Sequence, residues 1–221
     1  KTDVEIARFR DGAALLDQVL TDVFPTIKPG DKEAWVHGRI IGGCLSYGAE
    51  FAHGIFNSHR NPVIYCGESD FCLQRGDIIR TDYLAYRSAY PGHQSRNAVL
   101  GRPSSEQKSD YERYYEIYRE TSELLRPGIA VGELYDTVVE RFDRIGWTYK
   151  ARLVGHSIGP WWHQQNPIFC KGSSVPLQEG MVVAFEPFID HWHCQDIFLI
   201  TDGAPEKLSN DFDSSELFVI E

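Results

Sequence analysis

The sequence predicts an α/β protein built from two related halves, on three observations: a pair of short repeated strings, an alternation of helical and strand-like segments, and ample apolar content. The string K-P-G at Lys28–Gly30 leads into a helical segment, and R-P-G at Arg126–Gly128 leads into another. L-Q-R-G at Leu73–Gly76 and L-Q-E-G at Leu177–Gly180 each lead into a β run. The offsets, 98 and 104 residues, match two copies of one helix–helix–strand unit. Asp82 and Glu186 each stand six residues past the second string's glycine. Carboxylates at equivalent places in two halves would face each other across a pseudo-twofold axis.

The elements follow in order. Thr2 and Glu5 form a T-x-x-E capping box, and Ile6, Phe9, Ala13, Leu16 and Leu20 recur at helical spacing until Pro25. A second helix is expected from near Asp31 to Cys44 or Tyr47, weakened by Gly38, Gly42 and Gly43. Strand-like runs stand at Pro62–Cys66, Asp77–Tyr86 and Ala98–Leu100. The Tyr-rich stretch Ser104–Leu125 reads as a helix that ends at the R-P-G string, and Val131–Ile145 reads as another. Met181–Phe185 and Asp196–Thr201, rich in Val, Ile and Phe, are the clearest strands.

Composition narrows the function. Of 221 residues, 42% are hydrophobic and 13% aromatic, enough to bury roughly 70% of the chain's surface. Twenty-two Lys and Arg against 32 Asp and Glu leave a net charge of −10. That sign opposes nucleic-acid or anionic-membrane binding, which needs a basic face. No apolar run approaches the ~18 residues of a membrane span, and the charged opening KTDVEIARFRDG reads as helix. Five scattered cysteines without a C-x-x-C pair fit reduced thiols and a cytoplasmic setting.

Several residues could carry chemistry. In the run Asp77–Tyr86, a period of two puts Ile78, Arg80, Asp82, Leu84 and Tyr86 on one face. A mid-strand carboxylate among apolar and aromatic residues needs a partner. His93 follows Y-P-G eleven residues later, where a returning strand would set it opposite Asp82. Glu186 closes the apolar run VVAFEP. His156 and His163 stand seven apart in GHSIGPWWHQQNP, among glycines, prolines, Trp161 and Trp162, so this segment cannot be one helix. Histidine suits both metal ligation and proton transfer near neutral pH. The HWHCQD string offers His191, His193, Gln195 and Asp196, with the last two on opposite faces.

The series GDIIRTD, YPGHQSR, VGHSIGPWWH, EGMVVAFEP and CQDIFLIT resembles the pita-bread superfamily of aminopeptidase P, prolidase, methionine aminopeptidase and creatinase. The resemblance spans essentially the whole chain and is most specific at GHSIG, His163 and GMVVAFEP. It implies the pita-bread fold, with duplicated units around a curved, mostly antiparallel sheet. It also implies that residues 1–221 are one catalytic-type domain, to which relatives add an N-terminal domain, and that the chain forms a homodimer. The peptidases hold two divalent metals with two aspartates, a histidine and two glutamates. By motif, Asp82, His156 and Glu186 fill three of these positions, whereas His93 and Gln195 stand where bridging carboxylates belong. The E-x-P after the second histidine is QQNP here, and the histidine expected before the first strand pair falls near Tyr65.

Neutral His93 and Gln195 do not readily span two cations. The expected cofactor is therefore one divalent ion (Mn, Zn or Co) on Asp82, His93, His156, Glu186 and Gln195, or none, as in the creatinase branch. The resemblance implies a hydrolase of a small amide, amidine or Xaa-Pro peptide. His163 and Glu186 would be its catalytic pair, and Trp161, Trp162 and His163 would contact substrate. An alternative is a catalytically degenerate binding module on the same fold. A purely aminopeptidase reading needs the altered site to bind metal productively.

Overall fold

The computed structural model describes residues 1–62, 69–161 and 163–221. The run at Pro62–Cys66 therefore falls, after Pro62, outside the described residues, as do Tyr65 and Trp162.

Helix α1 (Asp3–Val23) starts at the expected capping box, with Thr2 accepting from the Glu5 N–H and the Glu5 carboxylate accepting from the Thr2 N–H. A 3₁₀ turn over Phe24–Thr26 contains the proline that stops it. Helix α2 (Glu33–Ser46) precedes β1 (Phe51–Ser58), β2 (Ile78–Arg87), β3 (Tyr90–Gln94) and β4 (Asn97–Leu100). Helices α3 (Ser105–Ser122) and α4 (Val131–Arg144) open the second half. Then come β5 (Gly155–Ser157), β6 (Gln165–Ile168), β7 (Val182–Phe185), β8 (Phe188–Ile189), β9 (Trp192–His193), β10 (Asp196–Leu199), β11 (Glu206–Lys207) and β12 (Phe218–Ile220).

The strands form two five-stranded sheets and one small hairpin. The first sheet runs β1-β2-β4-β12 with β3 also on β2, and the second runs β11-β10-β7-β5-β6. Among the described residues, only β4 and β12 pair in parallel. Val36, Ile40 and Leu16 of α1 and α2 pack on Phe56 and Ile79 of the first sheet. Tyr114, Val138 and Phe142 of α3 and α4 pack on Val183 and Phe185 of the second. Ile6 and Phe9 of α1 also reach Val182 and Ile197, so α1 spans both sheets. Gly12 and Gly92 let α1 lie directly on β3, since a Cβ on Gly92 would stand 2.1 Å from the Gly12 carbonyl oxygen. None of the helices is long and apolar enough to cross a membrane among the described residues.

The two repeated strings prove to be equivalent in hydrogen bonding. Gly30 donates to Leu73 O at 2.8 Å, and Gly128 donates to Leu177 O at 2.9 Å. Gly76 donates to Leu100 O at 2.7 Å, and Gly180 donates to Ile200 O at 2.8 Å. All four glycines have φ between 79° and 95°, which glycine adopts without a Cβ clash. The halves meet where Ser95 and Gln195 exchange backbone hydrogen bonds of 3.2 and 3.1 Å. Beside this bridge the fully buried Arg96 donates to Gln195 O (2.7 Å), Asp196 Oδ1 (2.8 Å) and Asp17 Oδ1 (3.2 Å), while the Tyr118 hydroxyl donates to Asp196 Oδ2 (2.6 Å).

Strand β1 is the element the sequence reading left unassigned. Gly54 interrupts its apolar pattern, and His53, Asn57 and Ser58 are polar. Its eight-residue pairing with β2, from Phe51 opposite Tyr86 to Ser58 opposite Ile79, makes the strand. The predicted helices and later strands agree with the structure to within about three residues at their ends.

Candidate active site

Both halves contribute to one cavity of about 410 Å³. From the first, β2 supplies Asp82, β3 supplies His93, and β1 supplies His53, Gly54 and Ile55. From the second, β5 supplies His156, the loop after β5 supplies His163, and the residue after β7 is Glu186. The antiparallel pairing of β5 and β7 sets Gly155 opposite Phe185, which brings His156 and Glu186 together. Their Nε2 and Oε1 atoms lie 3.4 Å apart. The rings of His93, His156 and His163 have centroids 5.0 to 6.0 Å apart.

Hydrogen bonds fix several of these groups. His156 Nδ1 lies 2.9 Å from Ser157 O, so it carries the proton and Nε2 turns a lone pair toward Glu186. A lone pair facing a carboxyl oxygen calls for a proton or a cation between them. Burial, reinforced by the field of Asp82, pushes the Glu186 carboxyl well above the usual carboxylate range. Burial also opposes the charge on Asp82. The His93 hydrogen bond and the fields of His93, His193 and Arg80 outweigh it, holding Asp82 below the usual range. Burial, aided by the field of His93, lowers His156 to about 3 and His163 to about 4, so both rings are neutral at pH 7.

His93 is held at both nitrogens. Nε2 lies 3.1 Å from Asp82 Oδ1, and the Gln195 side-chain nitrogen lies 3.0 Å from Nδ1 and 3.2 Å from Nε2. The Asp82 carboxylate assigns a proton to Nε2, and the Gln195 amide lies within hydrogen-bond reach of both ring nitrogens. The Ser95 hydroxyl in turn donates to Gln195 Oε1 at 2.9 Å. A chain Asp82–His93–Gln195–Ser95 thus crosses the join between the halves. Gln195 is fully buried behind the cavity wall and spends its amide on this chain.

This donor set does not fit a pair of bridged ions. His93 and Gln195, expected at the bridging positions, bond each other, and an amide N–H repels a cation. Among the described residues, no group of three or more His, Cys, Asp or Glu side chains is arranged to hold a metal ion.

The sequence reading missed His53, Arg152, Leu153, Gln164 and Phe188, which complete the lining. His53 belongs to the unassigned β1, Phe188 to the two-residue β8, and nothing in the sequence places the loops of the other three. His193 stands behind Glu186, its Nε2 4.0 Å from Oε2, with burial lowering the ring to about 3. Trp161 lies outside the lining: it is exposed and stacks on Tyr86.

The sequence matches the family described as metallopeptidase family M24 over residues 7–202. The chain belongs to this family. It is 27% identical over 218 residues to the Xaa-Pro dipeptidase of Pyrococcus furiosus, covering 95% of this chain and 62% of that one. A methionine aminopeptidase of Chlamydia pneumoniae is 28% identical over 66% of this chain and 47% of its own. The crystal structure of the prolidase from Pyrococcus horikoshii OT3 superimposes with a TM-score of 0.90 at 25% identity, over 98% of this chain and 65% of that one. This M24 chain thus spans about three-fifths of the length of the prolidase relatives it matches. Its fold is the pita-bread fold of prolidases and methionine aminopeptidases.

Proposed function

We infer that this chain is a hydrolase of the creatinase and aminopeptidase P type that breaks a C–N bond of a small amide, amidine or Xaa-Pro peptide. The observation that carries the reading is the convergence of Asp82 from one half with His156, His163 and Glu186 from the other on one cavity. The Xaa-Pro dipeptidases among its relatives support the bond type.

The chemistry runs through the chain's own side chains. A substrate carbon placed between His163 and Glu186 is attacked by water, whose proton passes to the neutral His163 ring. The C–O bond forms as the C–N bond breaks, and protonated Glu186 gives its proton to the departing nitrogen. Proton return from His163 to Glu186 resets the pair. The fixed charge of Asp82 favours the transient imidazolium, and its field does act on His163. His156 Nε2, 3.4 Å from Glu186 Oε1, helps to aim the carboxyl.

The test is an assay of the wild type, His163→Ala and Glu186→Gln against Xaa-Pro dipeptides, creatine-like amidines and cyclic amidines. Activity on one class and a loss of about 10²–10⁴ in either variant is the expected result. A wild type inactive on all three classes refutes it and leaves a binding module, the reading favoured by the internal bonding of His93 to Gln195. We also infer a homodimer, which sedimentation of the purified chain checks.

A further inference from the structure

The sheet face that carries Asp82 continues beyond the cavity. Antiparallel register sets Ile55 opposite Asp82, His53 opposite Leu84 and Phe51 opposite Tyr86, and these three rungs share one face. The first two rungs line the cavity. The third lies four residues from Asp82 along β2, about 13 Å at about 3.3 Å per residue. There the Trp161 ring lies flat on Tyr86, with centroids 5.7 Å apart and planes at 14°. Phe51 meets the same tyrosine at 5.9 Å. Tyr86 is buried, whereas Phe51 and Trp161 are 52% and 62% exposed.

This arrangement is held in place. Trp161 has φ 59°, a left-handed conformation that disfavours bulky side chains. Its N–H donates to Ala89 O at 3.0 Å, in the turn joining β2 to β3. The His163 backbone hydrogen-bonds Tyr86, which ties the shelf to the loop that carries a reacting histidine. An indole fixed this way contributes little to the core, and strained exposed residues concentrate at ligand-binding sites.

We propose that Phe51, Tyr86 and Trp161 form a subsite for a flat aromatic group on the ligand, joined by an extended linker to the group held in the cavity. The occupant follows from continuity: the shelf is the outer rung of the floor whose inner rungs carry Asp82. It is aromatic because the open surfaces are ring faces and edges, which favour stacking and edge contacts. The inference rests on the cavity being the reaction site, but its test does not need turnover.

The test is saturation-transfer NMR with Nα-acetyl-tryptophanamide and Nα-acetylglycinamide on the wild type, Trp161→Gly, Phe51→Ala and the control Val4→Ala. Glycine suits the left-handed backbone at position 161, so that variant keeps the fold. The expected result is preferential saturation of the indole probe by the wild type. Its binding should weaken about three-fold or more in Trp161→Gly and Phe51→Ala and stay unchanged in Val4→Ala. Equal indole binding by the wild type and Trp161→Gly, or none by the wild type at millimolar probe, overturns the subsite. Unchanged indole binding with loss of a dimer in Trp161→Gly also overturns it and assigns the shelf to a second copy. Weakened indole binding in a protein that hydrolyses nothing keeps the subsite and sinks the hydrolase.

Discussion

Replacing His93 by Asp together with Gln195 by Glu would supply the carboxylate pattern that the resemblance implies, and asks what the hydrogen-bonded chain contributes. In the wild type the His93 ring separates Asp82 from Gln195, with contacts of 3.1 and 3.0 Å. A carboxylate at position 93 would bring a second charge to about 5 Å from Asp82, worth about 3 kcal/mol of repulsion at an effective dielectric constant near 20. The second carboxylate adds a similar amount, and Gln195 loses its bond to the ring. Without metal the variant should lose roughly 6 kcal/mol, or about 12–24 °C in Tm for a chain of this size. Mn²⁺ at 100 times its dissociation constant would return about 2.7 kcal/mol per site. Differential scanning fluorimetry with EDTA and with a Mn²⁺ series, alongside elemental analysis, reads both effects. The wild type should hold at most one ion per chain, and EDTA should barely move its Tm. Two tightly held ions in the wild type, or a double variant no more responsive to Mn²⁺ than the wild type, would refute the reasoning.

Asp196→Asn should destabilise by about 3–5 kcal/mol, because Arg96 stays buried with only Asp17 as counter-charge; urea unfolding measures the loss. Gly92→Ala should cost as much or more through the clash with the Gly12 carbonyl, visible as a lower Tm or loss of folded protein. Burial, with the field of His59, lowers His191 to about 4 in the folded chain, against about 6.5 when unfolded. A depressed folded value gives stability that is present above the unfolded pKa and lost as pH falls toward the folded one. His191→Asn should therefore shrink the stability lost between pH 7 and pH 5 by roughly 1–2 kcal/mol, a difference that urea midpoints at the two pH values can read.

What the sequence made legible was local chemistry and repetition. The Thr2–Glu5 box, the stop at Pro25 and the strand period around Asp82 each depend on neighbours within a few residues. The paired strings were readable because the same turn needs the same glycine, and the matching bonds of Gly30 with Gly128 and of Gly76 with Gly180 bear this out. One tight return brought His93 onto the face of Asp82, although the register sets it opposite Leu84, one rung away. The bond from Gln195 to His93 was not legible, because it joins residues 102 apart across the two halves. Strand β1 hid behind Gly54 and its polar neighbours, since its strand character comes from β2. Trp161, expected to contact substrate, stands outside the cavity lining, where a left-handed backbone turns it onto Tyr86.

The join at Ser95 and Gln195 bears on how a ligand enters. Spreading the two halves would break both backbone bonds, the Ser95–Gln195–His93 side-chain links and the grip of Arg96 on Asp196 at once. These losses fall on groups sealed from water, so the seam behaves as a rivet and the cavity walls keep their spacing as a ligand enters or leaves. Traffic then passes over the rim, where Arg152 and Gln164 stand on loops. Exchange rates should answer to changes in those loops and stay indifferent to solvent viscosity, which slows the swinging of whole halves.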